Sequence, residues 1–195
     1  MAIDPSTFHL INVADTCTVW NLLSSRSLFV AAMAARCDFC VTSFVHYECL
    51  VKRRKNQLPN DIELINRLKV EQARGRFKAH SCDIGDLQAI QLLESRKRLG
   101  KGELSSIAFA MKIRQAFMTD DMKARRLAQD VGTQPVQTTP HLFAWLVFTM
   151  KLGDADKDVV ISEHKDLGQI LAPHFEEAYR LALECRLNST ATISH

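Results

Sequence analysis

Short apolar runs alternate with stretches whose apolar residues recur at helical spacing along most of the chain. His9–Ala14 (HLINVA) is apolar and partly β-branched and ends at Asp15-Thr16, which predicts a buried strand. Val19–Ser24 and the Ala-rich Arg26–Arg36 predict helices. Phe39–Phe44 predicts a second strand, and a helix carrying Glu48 starts near Val45. Ile62, Ile65 and Leu68 mark a helix over Asn60–Arg74, and Phe77–Cys82 reads as a third strand. Leu87, Ile90 and Leu93 share a face of a helix over Asp86–Arg98, which Gly100-Lys101-Gly102 breaks before Glu103 opens another, to about Ile113. Ala116–Thr119 predicts a strand ending in Asp120-Asp121. Ala124, Leu127, Ala128 and Val131 then lie at i, i+3, i+4 and i+7 of a helix. Pro135–Thr138 is a last short strand, followed by helices over about His141–Lys151, Ser162–Leu171 and His174–Leu187. Strands alternating with helices predict an α/β fold, a three-layer α/β/α sandwich around a central, mostly parallel sheet.

No repeat or Pro/Gly-rich linker divides the 195 residues. One body over 9–172 is expected, with a C-terminal helix and flexible tail over 173–195; Asn188–His195 should be disordered, and the first eight residues unstructured. A formal net charge of +3 is too small to announce a nucleic-acid binder, so any such surface must be local. No apolar stretch approaches the roughly 20 residues of a membrane span, and the N-terminus does not read as a secretory signal. Most of the six cysteines sit in apolar runs, as buried reduced thiols do, which favours a cytoplasmic home. Cys37 and Cys40 form a lone CxxC, for which core packing is the better reading.

Candidate chemistry lies where strands end or helices begin. Asp15, Glu48, Glu103 and Asp121 occupy such positions. In an open parallel sheet the carboxyl ends of the strands line the functional crevice, so residues distant in sequence can meet there. Clustered carboxylates repel, and their common use is to hold a cation; all-oxygen ligation suits Mg²⁺ or Mn²⁺. Each residue also has a plainer role open to it. Asp15, Asp120 and Asp121 are good helix N-caps, Glu103 suits a first helical turn, and Glu48 suits a solvated helix face.

Four segments together resemble PIN domains. Val13-Ala14-Asp15-Thr16 resembles their first strand and its Asp-Thr/Ser end. Ser43–Leu50 (SFVHYECL) resembles the strand-to-helix step with a glutamate before leucine. Gly102–Ala110 (GELSSIAFA) resembles the Gly-Glu helix start, and Met118–Ala128 (MTDDMKARRLA) the Asp-Asp-x-x-Ala-Arg pattern. The matches run in family order over residues 10–140. The resemblance implies a metal-dependent endoribonuclease, the toxin of a VapC-type toxin–antitoxin pair, with RNA as substrate, an antitoxin protein as partner and a homodimer as the working form. The family's acidic quartet falls on Asp15, Glu48, Glu103 and Asp121, with Asp120 as a fifth candidate. Asp15 and Asp121 are then direct metal ligands, Glu103 a ligand or bridge, and Glu48 a ligand or the holder of a metal-bound water. Thr16 and Thr119 are expected to orient the aspartates by hydrogen bonds. Ser105 stands where a related subgroup has a second glutamate.

Basic residues flank these positions: Lys52-Arg53-Arg54-Lys55 after Glu48, Arg96-Lys97-Arg98 and Lys101 before Glu103, and Arg125-Arg126 after Asp121. Arg53, Arg54, Lys101 and Arg125 are candidate phosphate contacts, against a simpler reading as solvated helix surface. Two other readings remain: a non-catalytic PIN-like module binding RNA or protein, and a metal-dependent phosphatase of another α/β fold. Asp154, Asp156 and Asp158 alternate as in an EF-hand loop, but Val159 and Lys165 replace its Gly and Glu, so a polar turn is expected.

Overall fold

A computed structural model of the chain describes residues 3–52, 58–96, 98–133 and 135–192. Five strands are present among them: β1 (Ile11–Ala14), β2 (Asp38–Thr42), β3 (Ala79–His80), β4 (Ala116–Met118) and β5 (Val136–Gln137). All pairings are parallel, in the order β3-β2-β1-β4-β5. The α/β class and the parallel sheet are therefore as the alternating pattern predicts. β1 pairs with β2 on one side and β4 on the other, Val13 lying opposite both Cys40 and Phe117. The chain thus builds outward from β1 through β2 to β3, then returns to add β4 and β5 on the other side. The reversal falls between β1 and β4, where open parallel sheets form their ligand crevice.

The chain divides into two compact units. One comprises residues 9–20 and 38–137 and holds the whole sheet. Its helices are α3 (Ser43–Leu50), α4 (Pro59–Ala73), α5 (Ile84–Arg96), α6 (Lys101–Ile113) and α7 (Met122–Asp130). α6 is buried nearly all round, from Leu104 to Ala110, because it packs against β1, β2 and β4 as well as α3 and α5. Val13, Leu104, Ile107, Phe117, Leu127 and Val136 form the centre of this core. Arg114, in the left-handed region at φ 53°, ends α6 and turns the chain into β4.

The other unit comprises residues 1–8, 21–37 and 138–195. It holds α2 (Arg26–Ala34), α8 (Thr139–Phe148), α9 (Asp154–Asp166) and α10 (Ala172–Thr192), while α1 (Thr16–Ser24) belongs partly to each. α8 is buried at Leu142, Phe143, Ala144, Leu146 and Val147, and α10 packs along it. The Phe143 and Phe175 rings meet edge-on at 5.2 Å.

Several expectations need correction. Of the first eight residues, Asp4, Thr7 and Phe8 are held in place: Phe8 stacks on Trp145 at 5.4 Å, and His141 Nε2 donates to the carbonyls of Asp4 and Thr7 at 2.9 and 2.8 Å. Asp154, Asp156 and Asp158 do not make a turn but open α9, where Asp156 accepts from the Gly153 N–H at 2.7 Å. Acidic side chains are favoured at a helix N-terminus, the reason they collect there. α10 runs on to Thr192, with no Gly or Pro after Leu187 to stop it; residues 193–195 lie outside the described residues. In α4 the buried positions are Leu64, Leu68 and Glu71, and Ile62 is exposed. In α5 Ile90 and Leu93 are buried but Leu87 is exposed. No helix among the described residues is long and apolar enough to cross a membrane.

Candidate functional site

Asp15 follows the last residue of β1 and is fully buried. It is the N-cap of α1: Oδ1 accepts from the Thr18 N–H at 2.9 Å and from the Cys17 thiol at 3.1 Å. Oδ2 accepts from the Thr119 hydroxyl at 2.5 Å. Burial pushes the Asp15 carboxyl up to about 6; these hydrogen bonds oppose the shift, and the charge of Asp120 adds to it. Thr119, directly after β4, links the two strand ends, since its hydroxyl also accepts from the Asp121 N–H at 3.1 Å. Asp121 is the N-cap of α7, with Oδ1 accepting from the Ala124 N–H at 2.8 Å.

Glu48 lies in α3, whose N-cap Thr42 ends β2. Its carboxylate takes the Thr16 hydroxyl at 2.6 Å on Oε2 and the Gly102 N–H at 3.2 Å on Oε1. Thr16 therefore orients the glutamate and not an aspartate, because it points from the start of α1 toward α3. Gly102 is the second residue of α6, so Glu48 occupies one of the unpaired N–H groups of that helix start from a neighbouring element. A Cβ at Gly102 would overlap the Glu48 carboxylate, so only glycine admits this approach. Gly102 thus lies in the first turn of α6, where sequence suggested a break. Ser106 Oγ donates to the Ala14 carbonyl at 3.4 Å, and Ser105 Oγ lies 2.6 Å from Thr42 Oγ1, tying α6 to the ends of β1 and β2.

Glu103 stands one residue further along α6, half-buried, with its carboxylate folded back over Gly100. Its Oε2 is buried and has no hydrogen-bond partner among the described residues. Burial raises the Glu103 carboxyl above its ordinary value; backbone N–H groups of Glu103 and Gly100 oppose the shift, and the negative charges of Glu48 and Asp121 add to it. Thr119 thus bonds both Asp15 and the Asp121 N–H, Thr16 bonds Glu48 from the position after Asp15, and Glu103 feels the charges of Glu48 and Asp121. Asp120 lies beside them, half-buried.

An all-carboxylate donor set suits a hard divalent cation, and the unpartnered Glu103 Oε2 is an oxygen such a cation would take up. Among the described residues, no three His, Cys, Asp or Glu side chains are grouped as a ready metal cage. Of the basic candidates, Lys101 is exposed and paired with Glu94 at 2.6 Å, and Arg125 is half-buried in the first turn of α7. Arg53 and Arg54 lie outside the described residues.

Sequence reasoning missed Gly102, Cys17 and Thr18 as contacts of the carboxylates. The glycine beside Glu103 was the one available signal of a close approach. Compared with models of known protein families the chain matches none, and no curated protein matches it.

Proposed function

We propose that the protein is a metal-dependent endoribonuclease of PIN type that hydrolyses RNA phosphodiester bonds, acting as the toxin of a toxin–antitoxin pair. The observation that supports this reading is the hydrogen-bonded frame at the carboxyl edge of the parallel sheet, by the reversal between β1 and β4, where Thr119 bonds Asp15 and the Asp121 N–H, Thr16 bonds Glu48, and Glu103 feels the charges of Glu48 and Asp121. Asp15, Glu48, Glu103 and Asp121 would hold Mg²⁺ or Mn²⁺, with Asp120 as an outer acidic neighbour. A bound divalent cation supplies Lewis acidity and a water acidified toward neutrality. Thr119 holds the Asp15 carboxylate in place, and Thr16 holds that of Glu48. Glu103, whose Oε2 is buried without a hydrogen-bond partner among the described residues, would offer that oxygen to the cation as a ligand or bridge. An antitoxin protein and a second copy of the chain are the proposed partners.

A second reading has its own support. Asp15 and Asp121 cap helices, and Glu48 occupies a helix N–H, so a non-catalytic PIN-like binding module would use the same contacts structurally. Cleavage assays separate the two. Single-stranded RNA should be cut with Mg²⁺ or Mn²⁺ and spared with EDTA. Asp15→Asn and Asp121→Asn should each abolish cutting while leaving the circular dichroism spectrum unchanged. Undiminished cleavage by both variants would sink the nuclease assignment, and a phosphomonoester hydrolysed in place of RNA would point to a phosphatase.

A further inference from the structure

Beside the carboxylates lies an open cleft of about 510 Å³, whose lining includes Phe44, Tyr47, Glu48, Lys52 and Lys101. The volume falls within the range that takes a small organic ligand. Its residues come from the face of α3 that carries Glu48 and from the start of α6. Phe44 is half-buried and packs against the core of its unit, so it forms a fixed floor. Tyr47, three residues on and thus one helical turn further along the same face, is 52% exposed. An aromatic ring left half in water on a cleft wall does little for folding. The Tyr47 carbonyl accepts from the Lys52 N–H at 2.9 Å just past the end of α3, and both residues line the cleft. Lys101 brings a second ammonium from α6; its pairing with Glu94 is exposed on both sides, and such pairs contribute little and yield readily to a competing anion.

We infer that this cleft is a subsite for one unpaired nucleotide of a single-stranded nucleic acid, its base stacked on Tyr47 over Phe44 and its phosphates held by Lys52 and Lys101. The inference rests on the nuclease reading for its biological sense, since the cleft shares Glu48 with the proposed active site. An aromatic face with flanking ammonium groups matches an unstacked base and its phosphates, and it does not fit a duplex, whose bases are already stacked. The subsite thereby selects single strands and places the phosphodiester next to Glu48.

Fluorescence anisotropy in EDTA reads binding without cleavage, with fluorescein-labelled oligouridylate, oligodeoxythymidylate and a duplex RNA as probes. Tyr47→Ala should weaken binding of the single strands by roughly 5- to 150-fold, as loss of one base–aromatic stack does, and Tyr47→Phe should restore it. Duplex affinity should not change with either. Lys52→Gln and Lys101→Gln should each flatten the dependence of log affinity on log salt by about 0.7, the contribution of one phosphate contact on a single strand. Tyr47 dependence with oligouridylate alone would identify RNA as the ligand, and dependence with both strands a subsite blind to the sugar. Absence of binding by the wild type, or binding by Tyr47→Ala within about twofold of wild type, would overturn the inference. Tyr47-dependent binding without metal-dependent cleavage would leave the subsite standing and remove the nuclease reading alone.

Discussion

Each of the four carboxylates touches the N-terminal end of a helix: Asp15 at α1, Glu48 and Glu103 at α6, and Asp121 at α7. Unpaired N–H groups and the positive end of the helix dipole favour negative charge there, which offsets part of the repulsion within the cluster. Cap and cluster roles are therefore not exclusive, and Asp121 can be used to weigh them. Asp121→Asn keeps the cap, since asparagine caps about as well, and relieves repulsion on Glu103. In EDTA the variant should melt no lower than wild type and gain up to about 2 kcal/mol. The stabilisation on adding Mn²⁺ should be smaller in the variant than in wild type, because an ion stabilises in proportion to its affinity for the folded state. Equal metal-induced shifts would exclude Asp121 as a ligand. His164 is a second informative residue. It is fully buried against Phe175 at 4.7 Å, and neither ring nitrogen has a hydrogen-bond partner among the described residues. Burial lowers it from 6.5 to about 4, against smaller opposing effects of the Asn21 backbone and Glu163. The unfolded chain then takes up the proton first, so stability present above 6.5 is lost as pH falls toward 4. The loss between pH 7 and pH 5 should be on the order of 2 kcal/mol. Urea midpoints at the two pH values should show this fall in wild type and a reduced one in His164→Leu; identical slopes would refute it.

At the scale of elements, helix ends explain both the successes and the errors of pattern reading. The apolar spacing of Ala124, Leu127 and Ala128 places α7 correctly, and its start follows from Asp121 as cap. α9 was missed at its beginning because three aspartates in five residues look like a loop, whereas their charge suits a first helical turn. α10 gives a direct contrast between buried and exposed parts. Phe175, Ala178 and Ala182 are fully buried, but Leu187, Asn188 and Ser189 are exposed. Phe175→Ala should cost about 3–5 kcal/mol, since Phe143 and His164 both lose their ring neighbour. Removing Asn188–His195 should change stability by less than about 0.5 kcal/mol. Chemical denaturation of the two variants checks this, and a deletion as damaging as the core substitution would show that the end of α10 is docked after all.

For the whole molecule, the strand order decides what the carboxylates can do. With β1 between β2 and β4, the chain segments after three strands share one edge of the sheet. Had β4 added outside β3, Thr119 could not reach Asp15, and the cluster would not exist. Association is a separate matter. The apolar circumference of α8 is accounted for by burial within its own unit. The exposed large apolar residues of that unit include Val30, Met150, Ile170 and Leu187, and a proposed dimer must use a surface other than the buried face of α8. Light scattering at micromolar concentration should give a dimeric mass; a strictly monomeric one would remove the dimer and leave the site intact.

What the sequence determined by itself is the α/β class, the existence of the five strands, and the placing of acidic residues at strand ends and helix starts. These follow from periodicity and from capping preferences, which act over a few residues and are written locally. Strand lengths were less legible: β3 shrinks to Ala79–His80, both exposed, because pairing at a sheet edge rather than local propensity limits it. The tertiary structure alone decided which groups meet. Thr16 finds Glu48 across 32 residues, Glu48 finds Gly102 across 54, and Thr119 finds Asp15 across 104. The same holds for the cleft, where Tyr47 and Lys101 share one wall only because α6 packs on α3. Such partnerships depend on how the intervening chain returns to the sheet, and no short-range pattern encodes that return.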